Sequence, residues 1–354
     1  MSEPRILIAS ATLEAGNGGI ARVGRMSARA LIEAGYQVSM LTLLDNEPIE
    51  VAGQSIRFAC GSRLKFLAYR NAMLLTHSHV IYDLAGLGRL TPPGFRRPTA
   101  VWIHGEEVWD KLNPGAKGVI ERSDLVLANS NFTLMRFRQM HGTALPQARV
   151  CWLATEASDS QLGTDFAGPP TVIMLGRLAI GEAGKGHVEL IDCWPEVVTR
   201  VPEARLLIVG KGENLQILRA RANAGPVGSN ITFTGFVPEE QIDGIWSKAW
   251  VMALPSRQEG FGLVYIEAMS HAAPSIASTL DAGLEVNADG ISGFNVNPQN
   301  SAELVDRLVK LLSDQAFCRQ MGQGGLERWR KHFQYPHFRN RFLADIRSFL
   351  GSKA

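Results

Sequence analysis

"AWVMALPSRQEGFGLVYIEAMSHAAPSIAS", residues 249–278, packs a strand, a glycine-broken loop, a helix and a second strand into one short stretch. The aliphatic run 249–256 reads as a strand, "LVYIEAMSHA" as the helix after Gly262, and "PSIAS" (274–278) as the next strand. Two strands joined through a helix lie parallel, because the crossover returns the chain to the same end of the sheet. The alternation continues on either side. Before this stretch lie the strands "PTVIMLGRL" (170–178), "ARLLIVG" (204–210) and "NITFTGFV" (230–237), and after it "GFNVNP" (293–298).

The first half repeats the scheme. "RILIAS" (5–10) reads as a strand, "ARVGRMSARALIEAG" (21–35) as a helix ending at Gly35, and "QVSMLTL" (37–43) as a strand. "VIYDL" (80–84), "TAVWIHG" (99–105) and "DLVLANS" (124–130) supply further strands. The fold class is therefore α/β, with two Rossmann-like halves. The polar stretch "TEASDSQLGTDFAGPP" (155–170) reads as the linker. This divides the chain into a first Rossmann-like domain 1–160, a second Rossmann-like domain 161–330 and a helical tail 331–354 that packs back on the first domain. Pro336 should break or kink that tail.

Composition narrows the function classes. A 45% apolar, 20% charged chain of 354 residues is that of a water-soluble globular protein with room for two domains. No apolar run approaches the roughly 18 residues of a membrane span, and the N-terminal apolar stretch is too short for a secretory signal. Cys60, Cys151, Cys193 and Cys318 are scattered. They read as reduced thiols of a cytoplasmic protein, with neither a zinc site nor a disulfide framework. The net charge of +2 is uneven: residues 1–155 hold 17 Lys and Arg against 12 Asp and Glu, residues 156–354 hold 19 against 22. Ordinary surface variation accounts for this. So does an anionic partner of the first half, a phospholipid surface or a polyprenyl diphosphate. In that second case "RLKFLAYR" (63–70) is the place, with Arg63, Lys65 and Arg70 around Phe66, Leu67 and Tyr69. Nothing points to nucleic acid.

Ligands of open parallel sheets bind beyond the strands' carboxyl ends, so chemistry is sought there. Gly16, Gly18 and Gly19 form a flexible loop before the first helix, a place for phosphate at a helix N-terminus but not a GxGxxG fingerprint. Arg177 leaves a strand end, and Lys185 follows in a glycine-flanked turn. Arg as a fork and Lys as a point charge suit a diphosphate, although two solvated surface cations would read the same way. In the opening stretch Gly260 and Gly262 free the backbone, and the N–H groups around Gly262, Leu263 and Val264 face any anion in the loop. Glu259 and Glu267 are hydroxyl acceptors; the plainer alternatives are a solvated loop carboxylate and a favourable helix-end charge. His104 ends a hydrophobic strand beside Glu106 and Glu107.

The order of these features resembles the retaining glycosyltransferases of family 4, the group 1 glycosyl transferases. The motifs are the Gly-Gly loop, the strand-end His-Gly, "GR…KG" (176–186), "VGKG" (209–212), "FTGFV" (233–237), "PSRQEGFGLVYIEAM" (255–269) and "DGISGFNV" (289–296). The resemblance implies the GT-B fold, two Rossmann-like domains facing across a central cleft. It also implies a nucleotide-diphosphate-sugar donor of UDP or GDP type, no cofactor or obligatory metal, and retention at the anomeric carbon. On the matching positions, Arg177 and Lys185 would hold the diphosphate, Glu267 the ribose and Glu259 the donor sugar. Gly260, Phe261, Gly262, Leu263 and Val264 would complete the donor loop. Phe236 and Val237 would lie by the base, His104 by the reacting carbon, and Gly18 and Gly19 would approach from the first domain. His104, Arg177, Lys185 and Glu259 are the implied catalytic set. The acceptor would be a glycan or lipid-linked, in exopolysaccharide, lipopolysaccharide or glycolipid assembly at the inner face of the cytoplasmic membrane.

The chain departs from the pattern twice. The step from Arg177 to Lys185 is longer than the family's commonest spacing, and "DAGLE" (281–285) stands where a double glycine is usual. A sugar-nucleotide epimerase of the same fold and a non-catalytic nucleotide-sugar-binding protein are the other readings. An NAD-dependent oxidoreductase is disfavoured because neither half has the dinucleotide fingerprint.

Overall fold

The computed structural model describes residues 4–109, 112–156, 166 and 168–351. The chain forms two compact units, Met1–Glu156 with Tyr335–Ala354, and Ala157–Gln334. The expected linker 155–170 falls for the most part outside the described residues.

In the first unit a seven-stranded sheet is built from β1 (Arg5–Ser10), β2 (Gln37–Thr42), β3 (Arg57–Phe58), β4 (His79–Tyr82), β5 (Thr99–Ile103), β6 (Leu125–Ala128) and β7 (Ala148–Val150). Their order is β3-β2-β1-β4-β5-β6-β7, and every pairing is parallel. Helices α1 (Gly19–Glu33), α2 (Arg63–Leu74), α3 (Pro114–Arg122) and α4 (Asn131–His141) follow the strands. A parallel sheet is buried on both faces, which is why β6 is a continuous apolar run buried throughout and β4, apolar after its opening histidine, is buried throughout as well.

The second unit repeats this scheme with β8 (Thr171–Leu175), β9 (Arg205–Val209), β10 (Ile231–Gly235), β11 (Val251–Ala253), β12 (Ser275–Ser278) and β13 (Gly293–Val296), ordered β10-β9-β8-β11-β12-β13. Its helices are α5 (His187–Arg200), α6 (Leu215–Ala224), α7 (Ile242–Trp246), α8 (Leu263–Ser270), α9 (Gly283–Val286), α10 (Ser301–Ser313) and α11 (Gln315–His332). Counted within each unit, both sheets share the order 3-2-1-4-5-6, to which the first adds a seventh strand; this is the doubly wound order whose direction reverses between the first and fourth strands.

Helix α12 (Tyr335–Gly351) returns to the first unit. Pro336 is its second residue, where a missing N–H removes no helical hydrogen bond, so the proline starts this helix rather than kinking a longer one. Tyr335 donates its hydroxyl to Glu33 at 2.9 Å and carries the Arg29 guanidinium 3.9 Å above its ring. Farther along, Phe338 and Phe342 stack on Trp102 of β5.

Sequence and structure differ in three places. The edge strands β3 and β7 and the hairpin Glu50–Val51/Gln54–Ser55 escape sequence reading because two or three residues show no period. Several strands end sooner than their apolar runs: β5 stops at Ile103, β6 at Ala128 and β8 at Leu175, leaving His104 and Arg177 in loops. Arg70, expected among the residues meeting an anionic surface, is fully buried. Its guanidinium donates to the carbonyls of Leu87, Arg89 and Leu90 at 2.6, 2.8 and 3.2 Å and to Asn71. A fork of five N–H groups suits a turn rich in carbonyls, so this arginine organises the 87–90 turn. Phe66 is buried as well, while Arg63 and Lys65 stay exposed.

Candidate active site

In the second unit the sheet reverses direction between β8 and β11, where ligands of doubly wound sheets bind. The two loops leaving these strands, 176–186 and 254–262, carry Arg177, Lys185, Glu259, Gly260 and Gly262. The long step between Arg177 and Lys185 is absorbed by a turn, Ile180–Lys185, clasped to the other loop. Arg257 donates its N–H to the Gly184 carbonyl at 2.7 Å, and the Gly184 N–H donates to the Gln258 side chain at 3.0 Å. The clasp delivers Lys185 to Glu259: Nζ stands 2.9 Å from Oε1, with 19% and 14% of the two side chains exposed. Arg177 is exposed two residues beyond β8. The third motif of this end, "VGKG", is a packing device: a Cβ on Gly210 would stand 1.9 Å from the Gly176 carbonyl oxygen.

Helix α8 begins where the sequence places it. Gly262 precedes it at φ 83°, a left-handed backbone suited to glycine. A Cβ there would lie 2.3 Å from the ring of Tyr265, which is locked by donating its hydroxyl to Leu254 at 2.7 Å. Among the described residues no side chain caps α8, so Leu263 and Val264 offer N–H groups at its start. Glu267 lies one turn on, half-buried. Phe261 is turned away: its ring is buried edge-on against Phe333, so only its backbone is left to serve a ligand. Phe236 is 55% exposed with the Lys211 ammonium 4.2 Å from its ring centre, and Val237 beside it is half-buried.

Two groups here escape sequence reasoning. Asp281 is fully buried and accepts the Glu259 N–H at 3.1 Å and the Gly283 N–H at 2.8 Å. Burial, and then the neighbouring Glu259 charge, push its carboxyl up to about 7. The only sequence signal is the unusual "DAGLE". His187 at the start of α5 is buried, and desolvation followed by the Lys185 charge lowers it to about 4, so it is neutral.

In the first unit the loop after β1 is pinned by carboxylates. Asp45 accepts the Thr12 hydroxyl, and the Leu13 N–H at 2.9 Å. Asp83, just past β4, accepts the Ala11 N–H with both oxygens at 3.1 Å, and burial raises it to about 8. The Asp83 carbonyl binds His104 Nε2 at 2.8 Å. A carbonyl only accepts, so Nε2 carries the proton and Nδ1 is left as an acceptor. Burial lowers the His104 pKa from 6.5, which keeps the ring neutral. Glu107 accepts the His104 N–H at 2.5 Å, Asn129 donates to its carbonyl at 2.7 Å, and Trp102 stacks on the ring. Through Asp83, His104 is thus tied to the loop that leads to Gly18 and Gly19. Gly18 takes φ 89° and Gly19 opens α1.

Comparison with known proteins adds the following. The family model for glycosyl transferases group 1 matches residues 169–314. A GDP-mannose-dependent alpha-(1-6)-phosphatidylinositol monomannoside mannosyltransferase of Mycobacterium tuberculosis is 30% identical over 247 residues, 63% of either chain. A phosphatidyl-myo-inositol mannosyltransferase of Mycobacterium leprae is 36% identical over 163 residues, 46% of this chain and 42% of that one. The chain thus spans less than two thirds of these relatives. Among solved structures, Anabaena Alr3699/HepE in complex with UDP and glucose superposes with a TM-score of 0.79 at 17% identity, over 98% of this chain and all of that one. Sucrose-phosphate synthase from Thermosynechococcus elongatus superposes with 0.80 at 20% identity, over 99% and 100%. At such identities the likeness establishes the fold, which is GT-B.

Proposed function

We propose, since residues 169–314 match the family model for glycosyl transferases group 1, that this chain is a retaining, metal-independent hexosyltransferase. It moves a sugar from a nucleoside-diphosphate donor to a glycan or lipid-linked acceptor. The observation that carries the reading is the convergence of Lys185 and Glu259 at the reversal point of the second sheet. A cation for a diphosphate and an acceptor for sugar hydroxyls stand side by side there. As the nucleoside diphosphate departs it gains negative charge, which Lys185, Arg177 and the N–H groups opening α8 would stabilise without a metal. Glu267, a turn along α8, would hold the ribose. Neutral His104 would present Nδ1 as an acceptor to a hydroxyl of the reacting sugar.

The relatives named for GDP-mannose make that donor the first to try, with UDP sugars next. A glycolipid acceptor accords with helix α2. Leu64 near its start is 80% exposed between exposed Arg63 and Lys65, and Leu75 just past its end is 62% exposed. An exposed leucine between two cations suits an anionic lipid surface. Among the described residues no helix is long and apolar enough to cross a membrane.

The test is a thermal-shift panel of UDP, GDP, ADP, TDP and their sugars, with and without EDTA, followed by anomeric analysis of the product by NMR. Stabilisation by one nucleotide irrespective of EDTA, and a product of unchanged anomeric configuration, are expected. No shift with any nucleotide, or an inverted product, overturns the reading.

A further inference from the structure

We propose that Asp281 is a positioning residue, which holds the backbone of Glu259 so that its carboxylate is presented beside Lys185. This rests on the donor-site reading above and adds to it a group from a different loop. Glu259 is gripped from both sides of its own residue. Its N–H donates to Asp281 Oδ2 at 3.1 Å, and its carbonyl accepts the Ala282 N–H at 3.1 Å. The second Asp281 oxygen accepts the Gly283 N–H at 2.8 Å, which anchors the carboxylate to the start of α9. With its peptide groups fixed, Glu259 retains only side-chain torsions, and these bring it to Lys185.

The choice of residue is unfavourable for stability alone. A fully buried carboxyl beside a second carboxylate loses solvation and meets like charge, which is why it is pushed up to about 7. A serine could cap one of these N–H groups with no such penalty, but a carboxylate spans both and so binds two loops to one point. Groups this poorly placed for stability gather at functional sites.

The experiment compares Asp281→Ala and Asp281→Asn with the parent. Asparagine keeps one accepting oxygen but turns an NH2 toward the other N–H. Hydrogen exchange of a peptide covering 256–262 reads the grip directly, whether or not any donor has been found. Exchange about tenfold faster in the alanine variant is expected, the effect of losing one ordinary hydrogen bond, with asparagine between it and the parent; unchanged exchange in the alanine variant overturns the proposal. On a donor that the parent turns over, kcat should fall at least tenfold while the affinity for the bare nucleoside diphosphate changes less than threefold. Parallel loss of both would mark a merely structural role and also overturns it. A parent that binds no nucleotide fails the functional reading, and the exchange measurement still decides the role of Asp281.

Discussion

Lys185 and Glu259 stand 74 residues apart in the chain and 2.9 Å apart in the fold, each more than four-fifths buried. Sequence reading assigns one to a diphosphate and the other to a sugar; the structure joins them to each other. In the resting site each neutralises its partner, and an incoming donor would exchange the pair, its diphosphate taking Lys185 and its hydroxyls Glu259.

Removing one partner should therefore be felt in stability as well as in turnover. Lys185→Met leaves a largely buried carboxylate without its counter-ion and should cost about 1–3 kcal/mol in urea denaturation. Adding Glu259→Gln should restore most of this. A double variant as unstable as the single one would count against the pairing. In turnover, Lys185→Met should lose about 100- to 1,000-fold in kcat, the scale of one lost transition-state donor.

Glu267→Gln should weaken nucleoside-diphosphate binding by about tenfold, since a charged acceptor for hydroxyls becomes a neutral one. Inorganic diphosphate, which has no ribose, should bind as before. Calorimetric titration of both ligands checks this, and equal losses would remove Glu267 from the ribose.

Arg70→Met should destabilise the protein by about 3 kcal/mol or more, because three carbonyls of the 87–90 turn lose their donor in a buried place. Arg70→Lys should recover only part, since an ammonium cannot reach three carbonyls as a planar fork does. Urea unfolding reads both; a Met variant as stable as the parent would show that the turn is held by other means.

Asp83 predicts a pH dependence. Its folded-state carboxyl is raised to about 8, far above the ordinary 3.8 of an unfolded chain. The neutral form is the one the fold prefers, so its contribution is whole below about pH 4 and is lost as pH climbs through about 8. Asp83→Asn cannot ionise. The melting temperature of the variant minus that of the parent should rise from pH 5 to pH 9, and a flat difference would refute the shift.

Much was legible beforehand for a physical reason. Parallel strands buried on both faces must be apolar runs, and helices between them must show a helical period, so both sheets and the start of α8 at Leu263 follow from local pattern. Gly262 was readable too, since a loop closing on a helix start needs a left-handed residue. Strands β3 and β7 were not, being too short for any period.

The amino-acid order by itself determined the α/β class, the repeat of one sheet plan in two halves, and which charged residues lie in the loops after the strands. These depend on contacts near in sequence and on the chemistry of side chains. Tertiary structure alone decided that Arg70 turns inward to a carbonyl-rich turn, that Phe261 is core, that a clasp at Gly184 offsets a long loop, and that Asp281 grips Glu259. Each is a pairing between segments distant in the chain, and burial and partner geometry there set by the fold decide what a side chain does.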